Sequence, residues 1–245
     1  MQTTILGSGG GLPTRHRETA CLLVRDGDRA LLLDAGSGVG RLGDDPGLLR
    51  GIDHVDVVLT HFHFDHIWGL PALQWLPVDA TIWAPGRWLY DRPSADILEP
   101  LRRPPISPGD VTSTPVFELH EGVQEIGGFA VRASPQPRHW APSAGLRIGD
   151  DLAYVTDTPF EHSSIELAHG VRTLFHEAWS SSAAPTDQDG DSTAADAARV
   201  AAGASVERLI LVHLNPDVAD HSALVADARR GFANVGLGED GGLYG

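Results

Sequence analysis

The sequence predicts an α+β fold, an αββα sandwich in which two mixed β-sheets pack face to face with helices on their outer faces. Three observations predict it. Short apolar runs of strand length recur along the 245 residues, and helical stretches follow groups of strands rather than every strand. Glycine-rich turns, among them Asp26-Gly27-Asp28, Gly127-Gly128 and Gly149-Asp150-Asp151, punctuate the runs. Hydrophobic residues make up 42% of the chain, enough for a sizeable core. The length suits one domain spanning residues 1–245.

Taken in order, residues 3–6 read as a strand, followed by the run Gly7-Ser8-Gly9-Gly10-Gly11. That run lacks the G-x-G-x-x-G pattern and any following Gly-Lys-Ser/Thr, so it reads as a tight turn rather than a phosphate loop. Residues 20–24 and 30–34 form a hairpin across Asp26-Gly27-Asp28. A short helix is expected over 42–49, a buried strand over 55–59, a helix starting within 67–76, and a strand over 80–84. Residues 85–115 are proline-rich and irregular, with Arg87, Arg92, Arg102 and Arg103 interleaved with Trp88 and Tyr90. A short helix fits 97–101. In a compact domain so long an irregular segment is functional or a surface cover. Residues 116–119, 122–126 and 129–133 read as a meander, and 146–148 with 152–156 as a second hairpin. Two more buried strands fit 171–175 and 208–212. The alanine-rich stretch 192–204 reads as a helix capped by Asp191 or Ser192, residues 219–232 as another, and 236–245 as a glycine-rich tail.

Composition narrows the function. The formal charge of -15 opposes non-specific nucleic-acid binding, which needs basic surface. It leaves room for an anionic small substrate, because bound cations dominate a local field. No apolar run approaches the roughly 20 residues of a membrane span. The first residues lack the basic region of a signal peptide, so a cytoplasmic location is expected. The single cysteine, Cys21, lies in an apolar run and reads as a small core residue. Any zinc site must therefore be built from His and Asp.

The chemistry concentrates in Thr60-His61-Phe62-His63-Phe64-Asp65-His66, directly after the strand at 55–59. On an extended backbone His61 and His63 point the same way, while Asp65 and His66 fall on the turn and face a second point. Two imidazoles for one cation, and a carboxylate plus an imidazole for its neighbour, begin a two-metal site. The bland alternative is a His-rich surface loop. Burying three imidazoles and a carboxylate without partners would be costly. Two cations need more ligands than this segment holds. His139, Asp157 and His213 each sit at or just beyond the C-terminal end of an apolar strand, where elements converge.

The segment resembles the signature of the metallo-β-lactamase-fold hydrolases, and the order of elements around it resembles the branch containing ribonuclease Z and related phosphodiesterases. The resemblance covers nearly the whole chain. It implies that His61, His63 and His139 hold one metal, that Asp65, His66 and His213 hold the other, and that Asp157 bridges them. It places Asp34 behind the ligands as a hydrogen-bond partner. The donor set favours two Zn2+ ions, with Mn2+ or Fe as alternatives. A hydroxide between the metals is the implied nucleophile, with Asp65 and Glu177 as catalytic carboxylates. Glu177 lies in His176-Glu177-Ala178-Trp179, against the family's His-Glu-Ala-Thr. The family's Gly-His-Ser-Thr segment corresponds to Gly190-Asp191-Ser192-Thr193, so Asp191 replaces the His that assists the leaving group. A carboxylate is a poorer proton donor near neutrality and repels phosphate. His162 and His221 are candidate substitutes, although both read better as exposed polar residues. His16, His54, His120 and His169 read as surface residues. The long glycine- and lysine-rich arm with which ribonuclease Z holds transfer RNA has no counterpart here. A dinuclear metal-dependent hydrolase of a small or cyclic phosphodiester is therefore expected. The alternative is a sulfate ester, lactone or thioester on the same site. Homodimers are common among relatives.

Overall fold

The computed structural model describes residues 1–107, 113–183, 190–218 and 220–245. In the first half, β1 (Gln2–Gly7), β2 (Cys21–Asp26) and β3 (Arg29–Leu33) pair antiparallel, and β4 (His54–Val58), β5 (Asp79–Ala84) and β6 (Val116–Glu118) continue the sheet in parallel. In the second half, β7 (Gly122–Ile126), β8 (Phe129–Gln136), β9 (Ser143–Ile148) and β10 (Leu152–Val155) pair antiparallel. The strands β11 (Thr173–Glu177), β12 (Arg208–Val212) and β13 (Val235–Leu237) then add in parallel. The last strand, β14 (Leu243–Tyr244), returns to the first sheet and pairs antiparallel with β1, Thr3 opposite Tyr244. The orders are β14-β1-β2-β3-β4-β5-β6 and β13-β12-β11-β10-β9-β8-β7. Each sheet thus has three antiparallel pairings followed by three parallel ones, a correspondence between halves that side-chain identity does not reveal.

Period-two alternation builds the layers. Leu22 and Val24 of β2, with Leu31 and Leu33 of β3, face Val131, Leu146, Tyr154, Phe175 and Ile210 of the second sheet. Their neighbours Cys21, Leu23, Ala30 and Leu32 face outward onto Val39, Leu42, Ile67 and Leu70. On the far side Ala153, Val155, Leu174, Leu209 and Leu211 pack against the alanines of the C-terminal helices. This is the αββα sandwich.

Several elements depart from the sequence expectation for local reasons. The helix expected over 42–49 is two pieces, α1 (Gly40–Asp44) and a 3-10 turn at Pro46–Leu49. Pro46 forces Asp45 out of the helical region, to φ -126 and ψ 84. The helix expected within 67–76 starts earlier, as α2 (Phe64–Ile67), followed by a 3-10 segment over Leu70–Trp75. The irregular segment contains α3 (Gly86–Tyr90) and α4 (Ser94–Leu98); its residues 108–112 lie outside the described ones. It works as the crossover that makes β6 parallel to β5, so β6 belongs to the first sheet and not to a meander with β7. The helix α5 (His162–Ala168) follows β10, where no helix was expected. For α6 (Ala194–Ala204) the cap is Thr193, in a reciprocal pairing with Asp196, which frees Asp191 and Ser192. The final helix is α7 (Ser222–Ala228), and residue 219 lies outside the described ones.

The glycine-rich tail closes the fold. Asp240, its side chain 3% exposed, accepts hydrogen bonds from the Ser8 amide and hydroxyl and the Glu18 amide, and pairs with Arg41 at 3.1 Å. Asp240→Ala strands these donors. It is expected to lower stability by about 2–4 kcal/mol in urea unfolding monitored by circular dichroism. A loss below about 0.5 kcal/mol, typical of a surface change, would refute the latch.

Candidate metal centre

β4 delivers the chain to Thr60, and His63 is extended, at φ -63 and ψ 151, as the residue that starts α2. His61 and His63 therefore lie before the helix, and Asp65 and His66 on its single turn. Across the sandwich β10 delivers Asp157 and β12 delivers His213, while His139 follows β8. Asp157 (φ 53), His213 (φ 48) and Asp34 (φ 59) are left-handed, three of the five non-glycine residues so placed among the described ones. Each such residue costs about 1–2 kcal/mol, so the surrounding structure holds them there.

All seven candidate ligands meet. Asp157 Oδ1 lies 3.5 Å from His61 Nε2, 3.8 Å from His63 Nδ1 and 3.6 Å from His139 Nε2. Its other oxygen, Oδ2, lies 3.1 Å from His66 Nε2 and 3.4 Å from His213 Nε2. Asp65 Oδ2 completes the second group, 3.4 Å from His66 Nε2 and 3.1 Å from His213 Nε2. One carboxylate thus faces two separate donor sets.

Contacts behind the cluster orient it. Asp34 Oδ2 meets His66 Nδ1 at 2.7 Å and Oδ1 accepts the Thr60 amide at 2.8 Å. The Thr60 hydroxyl lies 3.0 Å from His61 Nδ1, and the Gly190 carbonyl accepts from His139 Nδ1 at 2.8 Å. In every case the other ring nitrogen is the one aimed into the cluster. The glycine run after β1 is part of this wall. Gly11 N–H donates to Asp65 Oδ2 at 2.6 Å, and a Cβ on Gly10 would sit 2.5 Å from His213 Cε1. Sequence spacing carries no signal for Thr60 or Gly190.

Glu177, expected beside Asp65 as a catalytic group, is fully buried at the end of β11. Its Oε1 accepts the Thr158 and Ser192 amides at 2.8 and 3.0 Å, and its Oε2 lies 3.4 Å from His213 Nδ1. It is a group behind the imidazole. Asp191 Oδ1 lies 3.5 Å from His139 Nδ1. His162 is exposed and edges onto Phe160, and His221 Nε2 lies 3.1 Å from the Asn215 carbonyl; neither joins the cluster. His16, His54, His120 and His169 are exposed.

The electrostatics call for cations. Burial opposes the charged form of His66 and His213, yet Asp157 and Asp65 beside them raise both well above the ordinary imidazole range. Burial, with His66 and His63 adding to it and Asp157 opposing, pushes His61 down to about 4, and its buried Nε2 has no hydrogen-bond partner. Burial raises Glu177 to about 7, with Asp157 and Asp191 adding to it. Five imidazoles and two carboxylates, with no thiolate, form a nitrogen and oxygen set suited to divalent transition metals. The residues fit such ions.

A proton count checks the fit. Without metal, Asp157 and Asp65 favour an imidazolium within the His66 and His213 pair, whose Nε2 atoms lie 3.1 Å apart, and a cation needs neutral imidazole. Loading Zn2+ into metal-free protein at pH 7 is expected to release roughly one to two protons per chain. Calorimetry in buffers of different ionisation enthalpy reads this, and affinity should rise with pH. Zero release would mean the imidazoles are already neutral and the carboxylates do not act on them.

The description "Beta-lactamase superfamily domain" matches residues 29–214, a span holding all seven candidate ligands. The chain is 30% identical to the ribonuclease Z of Nocardia farcinica over 87% of this chain and 87% of that protein. The metallo-β-lactamase fold protein YhfI of Bacillus subtilis superposes with a TM-score of 0.83, at 23% identity over 100% of this chain and 99% of that one. A diphosphatase of the PhnP family superposes at 0.75, with 19% identity over 100% and 97% of the two chains. The sandwich, the cluster and these matches agree: the chain belongs to the β-lactamase superfamily, in its ribonuclease Z-like branch of metal-dependent hydrolases.

Proposed function

We infer that the chain is a dinuclear metal-dependent phosphodiesterase acting on a small or cyclic substrate, with residues 1–245 working as one hydrolase domain. The observation that carries this reading is the split environment of Asp157, whose two oxygens face two different donor sets. His61, His63 and His139 would hold one ion, Asp65, His66 and His213 the other, and Asp157 both; zinc suits this set best. Bound in this way, two divalent cations bring the pKa of water toward neutrality and offset charge on the attacking and leaving oxygens.

The protein's own groups do the rest. Asp65 Oδ2 takes one hydrogen bond from Gly11, which holds it toward His66 and His213, where the carboxylate would bind the ion and orient water. Asp34 holds the His66 ring by a hydrogen bond from behind, and the Glu177 carboxylate lies 3.4 Å behind the His213 ring. The ribonuclease Z and PhnP-family diphosphatase matched above supply the preference for phosphorus esters, and the charge of -15 favours a small substrate over RNA. A second reading is cleavage of a lactone, thioester or sulfate ester, and its uncharged members, the lactone and the thioester, draw support from Asp191. Its carboxylate, close to His139, disfavours a second negative charge nearby.

The test is a panel on zinc- and manganese-loaded protein: aryl phosphodiesters, sulfate esters, lactones, thioesters and a β-lactam, beside elemental analysis. Two metals per chain with preferential phosphodiester cleavage is expected. Turnover confined to carboxyl-type esters would replace the first reading by the second.

A further inference from the structure

A cavity of about 400 Å³ opens directly beside His63, lined by Phe62, His63, Tyr90, Arg92, Ile97 and Ala141. Its size lies within the range of small-ligand clefts. Half of its wall comes from α3, α4 and the turn between them, within the irregular segment that the metal cluster leaves unexplained. The Phe62 and Tyr90 rings meet edge to face at 5.2 Å and 71°. The Tyr90 hydroxyl donates to the Pro142 carbonyl, which holds the ring in place before anything binds. Asp91, left-handed at φ 51, ends α3 and turns the chain so that the Arg92 amide reaches the Gly86 carbonyl at 3.2 Å. The Arg92 side chain then borders the same space. Among the described residues its one polar contact is a long one, 3.4 Å, to the Asp96 carbonyl. A guanidinium without a carboxylate partner, in a chain of net charge -15, is available to an anion.

A larger groove, of about 670 Å³, runs past Arg17, His221 and Arg229. Arg17 there faces Glu239 and donates to the Gly238 carbonyl, and Arg229 donates to the Val235 carbonyl at 3.1 Å, a closer contact than the one Arg92 makes.

We propose that the cavity beside His63 selects substrates carrying one planar aromatic substituent, seated against Phe62, Tyr90 and Ile97, with a further negative charge on that substituent reaching Arg92. The proposal rests on the hydrolase reading above and adds the substrate class: anionic aryl or heteroaryl esters rather than alkyl ones. An ester held at the cluster has His63 at its edge, and a group attached to it enters the cavity. Ring-on-ring contact and a pre-held tyrosine give such a group its advantage over an alkyl chain.

The experiment measures binding to zinc-loaded protein by calorimetry, so it does not depend on which bond is cleaved. Two pairs are compared: diphenyl against diethyl phosphate, and phenylacetate against acetate. The aromatic member of each pair is expected to bind at least about tenfold tighter, as stacked aromatic contacts suggest. Ile97→Trp fills the cavity, and Tyr90→Ala removes a wall; each should abolish the preference while metal content stays near wild type, with a lower melting temperature expected for Tyr90→Ala alone, which loses the bond to Pro142 and the contact with Phe62. Bis(4-carboxyphenyl) phosphate should bind severalfold tighter than diphenyl phosphate, and Arg92→Met should erase that gain. A ring preference confined to the carboxylate pair would remove the phosphodiester reading and leave the cavity's role intact. No ring preference in either pair, or a preference that survives both variants, overturns the proposal. An equal affinity for the two diaryl phosphates in wild type overturns the part played by Arg92.

Discussion

Replacing Asp157 with asparagine is expected to abolish turnover while leaving the fold in place. Asparagine keeps the size of the side chain and tolerates the left-handed backbone at φ 53. Alanine there would mix a backbone penalty with the loss of a ligand. What changes is one oxygen and the negative charge that both donor sets face. A neutral amide is a poor partner for two cations, so metal content should fall from the two ions per chain proposed above to one or none. The charge stabilisation lost is several kcal/mol, on the order of 10³-fold in kcat/KM. Elemental analysis and turnover must move together. A variant that retains both ions and wild-type turnover would show that Asp157 does not bridge them.

Gly10→Ala should disable the site from a residue that is no candidate ligand. A methyl group there would stand 2.5 to 2.7 Å from three atoms of the His213 ring, nearer than side chains pack. The ring cannot retreat easily, because Glu177 and Trp179 lie behind and beside it. Gly10 itself is pinned by its amide to the Leu214 carbonyl at 3.0 Å. A displacement of about 1 Å in a catalytic group costs on the order of 10²-fold in rate. A loss of that size in kcat/KM is expected, with weaker binding at the site served by His213. A far-ultraviolet spectrum like wild type would separate this from unfolding. Full activity in Gly10→Ala would mean that His213 has room to move and that its position is not critical.

Much of the fold was legible because short apolar runs and turn glycines are local signals. Residues 20–34 illustrate this: both strands and the turn at Gly27 follow from two short apolar runs and a left-handed glycine. What was illegible depends on partners distant in sequence. The strand β6 reads like the start of a meander, and only its pairing with β5 assigns it to the other sheet. The tail reads as a glycine-rich coil, yet β13 and β14 take their hydrogen bonds from β12 and β1. In the site, the motif at 60–66 concentrates its residues where spacing can be read. His139, Asp157 and His213 are single residues at strand ends, and only their order, set beside a known pattern, singled them out. Glu177 sits in a motif-like segment but faces the back of an imidazole, a distinction that depends on burial. Thr60, Gly10 and Tyr90 act through contacts that no local pattern encodes.

The cluster draws His61, His63, Asp65 and His66 from one sheet's half of the chain and His139, Asp157 and His213 from the other's. Ions seated there would rivet the two halves, so that parting the sheets and losing the ions become one event. Resistance to unfolding would then be a matter of waiting time, set by how slowly the ions escape, more than of the depth of the native well. Chelation would shorten the protein's working life at a given temperature long before it altered its shape.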